Sequence, residues 1–182
     1  MTRSLMTVAL ALCVGAVLVA PPPRVAVAQP APAKAGDTEL VDKVQASIKT
    51  GVKYLKDNQH DGNWEGLVLK SLAGMDGGTT ALAVLALLNS GEPVTDDAVK
   101  KGLEYLRKLT PTKTYVVALQ TMALSEALIL SGDKKDLPKI AKNVEWFERN
   151  AIRRKGKFEG WSYPGNDIAD NSNTQYGLLG LY

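Results

Sequence analysis

Thr80-Ala-Leu-Ala-Val-Leu-Ala-Leu-Leu-Asn-Ser-Gly91 aligns without a gap on Thr121-Met-Ala-Leu-Ser-Glu-Ala-Leu-Ile-Leu-Ser-Gly132, 41 residues further on. Every position in 81–88 is apolar, so a helix here has no face for solvent and must be surrounded by protein. Gly91 and Gly132 supply left-handed stops. The segments around these runs are of another kind. Leu40, Val41, Val44, Ile48, Val52 and Leu55 recur at three- and four-residue steps, with Lys43, Lys49, Lys53 and Lys56 mostly off the stripe, as in an amphipathic helix.

Thr95 is placed to cap a second amphipathic helix with Asp96 and Asp97 in its first turn, where they favour the positive end of the helix dipole. A mostly apolar helix follows from Thr114. Asp136 is placed to cap a third amphipathic helix, with Pro138 where a missing N–H costs nothing, and Asn173 to open a third apolar helix at Thr174. Outer and inner helices therefore alternate, and their landmarks repeat: Tyr54-Leu55, Tyr105-Leu106 and Trp146-Phe147 lie 51 and 41 residues apart. The expectation is an all-α array of helical hairpins in which 40–57, 96–109 and 137–150 cover buried inner helices at 81–88 and 116–130. The contrast between wholly apolar and amphipathic helices favours a closed α/α toroid over an open solenoid.

Gly51-Val-Lys-Tyr54-Leu55-Lys-Asp-Asn-Gln59-His-Asp-Gly62-Asn-Trp64 resembles the QW motif of the terpenoid cyclase and protein prenyltransferase superfamily, which includes squalene-hopene cyclases and prenyltransferase and squalene oxidase repeats. The small residue, the aromatic-Leu pair, the Gln, the Gly and the Trp stand at matching spacing. Lys101-Gly102-Leu-Glu-Tyr105-Leu106 resembles the first half of a second copy that lacks the Gln and Trp, and Phe158-Glu-Gly160-Trp161 is a looser third. The resemblance covers 45–182 and implies a ring of six hairpins, of which three are present: about half of a double-layered α-barrel. Independently of any family, Gln59 near the end of the first helix can bond that helix's orphan carbonyls, Asp61-Gly62 can turn the chain, and the Trp64 ring can pack over the Gln side chain. Gln59, Gly62 and Trp64 are thus expected to brace hairpins and not to bind a ligand.

Catalysis finds less support. The resemblance implies, for cyclases, an Asp-rich acid with an aromatic-lined cavity, and for prenyltransferases a zinc held by Asp, Cys and His. The adjacent acids Asp96-Asp97 sit at a helix start, only 6% of residues are aromatic, and His60 is the one histidine. No cofactor and no metal are expected. Glu126 falls beside Tyr115, Leu119, Met122, Ile129 and Leu130 at 100° per residue, so it is the weak candidate for a proton donor; a paired carboxylate between repeats explains it equally. Trp161 and Tyr163, followed by Asp170, Asn171 and Asn173, place aromatics beside acids and amides on a loop and form the candidate site for a peptide, saccharide or lipid ligand. Arg153-Arg154-Lys155-Gly156-Lys157 reads as a solvated basic loop.

Arg3, the apolar run 5–20 and Ala26-Val27-Ala28 form an export signal expected to be cleaved after Ala28. At 16 residues the run is short for a membrane span, which needs about 20. Residues 1–28 are therefore assigned to the signal, 29–37 to a Pro/Ala-rich linker and 38–182 to a partial toroid, in a secreted or periplasmic protein. The 182-residue chain carries a formal charge of +3; removal of Arg3, Arg24 and Cys13 with the signal leaves 20 basic against 19 acidic side chains and no cysteine. A charge of +1 gives no footprint for nucleic acid or an anionic membrane, and disulfides are excluded. The apolar ending Leu178-Leu179-Gly180-Leu181-Tyr182 is expected to be cut from a longer toroid whose C-terminal half is missing. The functional expectation is a non-catalytic binding or structural role. A cyclase-like isomerase or lyase whose acid lies beyond residue 182 and a protein-binding solenoid scaffold are the alternatives.

Overall fold

A computed structural model describes residues 35–67 and 74–182. The signal at 1–28, Cys13 and most of the 29–37 linker lie outside the described residues. The fold is all-α, with six α-helices among the described residues: α1 (Ala35–Asp57), α2 (Gly78–Asn89), α3 (Asp97–Lys108), α4 (Thr114–Ser131), α5 (Leu137–Asn150) and α6 (Asn171–Leu181). Two 3-10 turns, at Glu65–Leu67 and Lys134–Asp136, and a small hairpin of β1 (Ile152–Arg154) and β2 (Lys157–Gly160) complete the described residues.

The apolar helices form one row. α4 packs most extensively on α2 and α6, while α1 and α3 lie against α2, and α5 against α4. The larger core cluster joins Val84 and Leu87 of α2, Val99, Leu103 and Leu106 of α3, Leu124 of α4 and the indole of Trp64; a second gathers Val117, Phe147 and Trp161. α4 alone among the described helices is long and apolar enough to cross a membrane, and most of its surface is committed to its neighbours.

Several local expectations need correcting. α1 begins at Ala35, inside the segment assigned to the linker, and the first half of its apolar stripe, Leu40, Val41, Val44 and Ile48, is exposed. α2 is not enclosed on all sides, because Leu82 and Ala86 face solvent, as do Ile129 and Leu130 at the end of α4. The cap of α3 is Asp96 and not Thr95: its Oδ1 accepts from the amides of Ala98 (3.0 Å) and Val99 (3.4 Å). Asp136 does not cap α5. Its buried carboxylate takes two bonds from the Arg107 guanidinium, Nε to Oδ1 at 2.7 Å and Nη2 to Oδ2 at 2.9 Å. α6 opens on Asp170, three residues before the expected Asn173. The basic run 153–157 is exposed as expected, but it is a β-hairpin turning at Lys155-Gly156, both at positive φ (48° and 76°). Asp61-Gly62 (49° and 78°) makes the same kind of two-residue turn between His60 and Asn63, whose amides and carbonyls pair at 3.0 and 2.9 Å.

Candidate functional site: three helix joints and an open apolar groove

The carbonyl of the second residue in each aromatic landmark pair is held by a side-chain N–H from a distant position. Trp64 Nε1 donates to Leu55 O at 2.7 Å, Gln120 Nε2 to Leu106 O at 2.7 Å, and Trp161 Nε1 to Phe147 O at 2.8 Å. Each joint therefore brings a buried donor from the next segment to a carbonyl near the end of an outer helix, where Leu55 O and Leu106 O also accept the amides of Asn58 (3.2 Å) and Leu109 (3.1 Å). The two Trp joints match further: the Trp64 amide donates to Thr80 Oγ1 (3.1 Å) and the Trp161 amide to Thr174 Oγ1 (3.0 Å), in the first turns of α2 and α6. Glu65 Oε1 accepts from the Thr80 amide (3.1 Å) and hydroxyl (2.6 Å), supplying α2 with the cap that Gly77 cannot provide. The middle joint uses an amide where the motif has neither Gln nor Trp. Asn143 of α5 steadies it, donating from Nδ2 to Gln120 Oε1 (2.9 Å) and Thr121 Oγ1 (3.0 Å).

Gln59 braces hairpins by a different bond from the one expected. Its Nε2 reaches Ala98 O of α3 at 2.8 Å, and the carbonyl at the end of its own helix goes to Trp64 instead. Trp64 is 1% exposed and packs against Gly102, where an added Cβ would stand 3.0 Å from the ring. Beside this joint Lys56 Nζ bonds Glu92 Oε2 (2.7 Å) and Asp96 Oδ2 (2.6 Å). Burial works to raise the Asp96 carboxyl, but Lys56 and the Val99 and Ala98 amides outweigh it and hold the group below its ordinary value.

The loop proposed from sequence as a ligand site is largely consumed by the fold. Trp161 lies in the core, edge-on to Phe147 and Phe158. Asp170 caps α6: its Oδ1 accepts from Ser172 Oγ (2.5 Å) and from the Asn173 amide (2.7 Å) and side chain (3.0 Å), and these bonds, the Ser172 hydroxyl first, lower its pKa to about 2. Asn173 is buried, and its Oδ1 is without a hydrogen-bond partner among the described residues. Tyr163 is half-buried 6.1 Å from the Tyr115 ring, which itself stacks on Tyr176 at 4.1 Å, and Lys113 Nζ stands 5.5 Å over its face. Burial foremost, then Tyr115 and Asp170, push the Tyr163 hydroxyl above its ordinary pKa. Only Asn171 remains open. It lines an apolar groove of about 440 Å³ along α6 with Thr174, Gln175, Leu178, Leu179 and Tyr182. Glu126 is half-buried on α4, and its side chain makes no hydrogen bond or ion pair among the described residues. Among those residues no three His, Cys, Asp or Glu side chains converge as metal ligands.

Sequence reading missed Gln120, Asn143, Glu65 and the Arg107–Asp136 pair, whose partners lie 14 to 29 residues away. The one available signal was the Thr at the start of each inner helix. No curated protein and no solved structure matches the chain. A family model matches most of it, over residues 45–180 and so across all three joints, and the chain belongs to the family described as Domain of unknown function (DUF6288).

Proposed function

We propose that this chain is a non-catalytic helical-repeat protein with a binding or structural role. In this reading it is an exported protein and residues 38–182 are three hairpins of an α/α toroid related to the terpenoid cyclase and prenyltransferase repeats. The observation that carries the proposal is the set of three joints. The residues that resemble a QW motif, Gln59 and Trp64, and those that stand in for it, Gln120 and Trp161, spend their polar groups on helix carbonyls. Charged groups placed deepest are likewise spent on the fold, Asp136 on Arg107 and Asp96 on Lys56 and a helix cap. An uncommitted apolar feature among the described residues is the α6 groove, which has the character of a docking surface and not of an enclosed cavity for a reacting polyene.

The direct test is incubation of the purified chain with a linear triterpene, with product analysis by mass spectrometry. Unchanged substrate is the expected result. A cyclised product abolished by Glu126→Gln would replace the proposal with the cyclase reading.

A further inference from the structure

The joints set a register between helices that shows what the α6 groove is shaped to receive. Thr80 and Thr174 each accept a Trp amide, so α2 and α6 superpose with an offset of 94 residues. The groove residues Asn171, Thr174, Gln175, Leu178, Leu179 and Tyr182 then fall on Gly77, Thr80, Ala81, Val84, Leu85 and Leu88. On α2 this face is closed: all but the half-buried Leu85 are buried, and Ala81, Val84 and Leu88 share the core with Val99, Leu103 and Leu106 of the following helix. On α6 the same face is open, with Leu178 54% exposed.

The helix that covers α2 has its own counterpart. Leu55 and Leu106, whose carbonyls are held at joints, set α1 on α3 with an offset of 51 residues. Ile48, Gly51 and Val52 therefore match Val99, Gly102 and Leu103. Gly102 lets α3 come down on α2 so closely that an added Cβ would stand 2.6 Å from Val84 Cγ2. Among the described residues nothing lies within 4 Å of a Cβ added at Gly51, and Ile48 is 44% exposed. The inner helices agree: by the 41-residue offset of Gly91 and Gly132, exposed Leu82 and Ala86 match Ala123 and Ala127, which are buried on α4. The exposed faces of α1 and α6 thus match the two halves of the interface that the first and second hairpins already make.

Resting on the helical-repeat reading above, we infer that the α6 groove binds the α1–α2 hairpin of a second copy of this chain, head to tail, with Gly51 of one copy over Leu178 of the other. Such a contact is heterologous, so it closes a ring or extends a chain according to its rotation.

Sedimentation velocity of the purified chain, of Ile48→Glu, of Leu178→Glu and of the two variants mixed tests this inference. The wild type is expected to associate and each variant to be monomeric. The mixture is expected to recover a dimer and nothing larger, because one intact head meets one intact tail. Gly51→Gln, whose side chain enters open space in the monomer, is expected to behave as Ile48→Glu does. Circular dichroism on the same samples separates two failures. A monomeric wild type that keeps its helical signal overturns the docking and leaves the repeat reading standing, whereas loss of a helical, cooperative transition removes the repeat reading as well. A dimer that persists in Leu178→Glu, or an association equal in all samples through the apolar stretch 5–20, also overturns the docking.

Discussion

Gly51 and Gly102 each stand three residues before a Tyr-Leu pair, yet adding one methyl group has opposite consequences at the two positions. At Gly102 the new Cβ would press on Val84 and the Trp64 ring, so Gly102→Ala is expected to destabilise by about 2 kcal/mol. At Gly51 it meets nothing, and a helix-interior glycine gives way to a better helix former, so Gly51→Ala is expected to stabilise the monomer by about 1 kcal/mol. Urea unfolding at low protein concentration reads both; midpoints that move in the same direction would contradict the packing described for α3. The same scale shows what a sequence discloses and what it hides. Trp64 and Trp161 were findable because each follows an aromatic pair and a turn glycine. Gln120 was not, since a single amide inside an apolar run gives no sign of a carbonyl 14 residues back. Asp136 was read as a cap because acids before a helix usually are caps, and only the fold brings Arg107 to it.

At the scale of elements, α6 shows how a cap one turn from a brace controls a helix. Asp170 has its pKa lowered from 3.8 to about 2 by the Ser172 hydroxyl and the Asn173 amide and side chain. A carboxyl depressed in the folded state contributes stability that is complete above its unfolded pKa and is lost as pH falls through the folded one. The loss is therefore expected between about pH 4 and about pH 2. Asp170→Asn keeps a capping oxygen but removes the titration, so its unfolding free energy is expected to fall less steeply than the wild type's over that window. Parallel curves, measured by circular dichroism in urea at a series of pH values, would show that the Asp170 bonds are not made in solution. Helix existence was readable from periodicity throughout. Caps were misplaced by one residue at Asp96 and by three at Asp170, because adjacent Thr, Asp and Asn residues are chemically interchangeable at an N-cap. The β1–β2 hairpin escaped because its strands are short and basic, without the alternating apolar residues that mark a half-buried strand.

For the molecule as a whole, three hairpins are built on one plan, with a side-chain N–H reaching a carbonyl near the end of each outer helix. The plan was half visible in sequence, as the repeat of Tyr54-Leu55, Tyr105-Leu106 and Trp146-Phe147. The exposed stripe of α1 and the groove on α6 were not, because periodicity marks an apolar face without saying whether a neighbour covers it. Removing the donor tests the plan at every joint: Trp64→Phe and Trp161→Phe keep a ring but lose the N–H, and Gln120→Met keeps length but loses the amide together with the oxygen that accepts from Asn143. Leu55 O and Leu106 O would keep the amides of Asn58 and Leu109, so each lost side-chain bond costs about 0.5–1.5 kcal/mol. The most direct single measurement is the urea unfolding free energy of these three variants against the wild type. A loss of about 0.5–1.5 kcal/mol is expected at each of the three joints, within one cooperative transition; a wild-type midpoint for Gln120→Met beside clear losses at the two tryptophans would contradict the claim that the middle hairpin shares the plan.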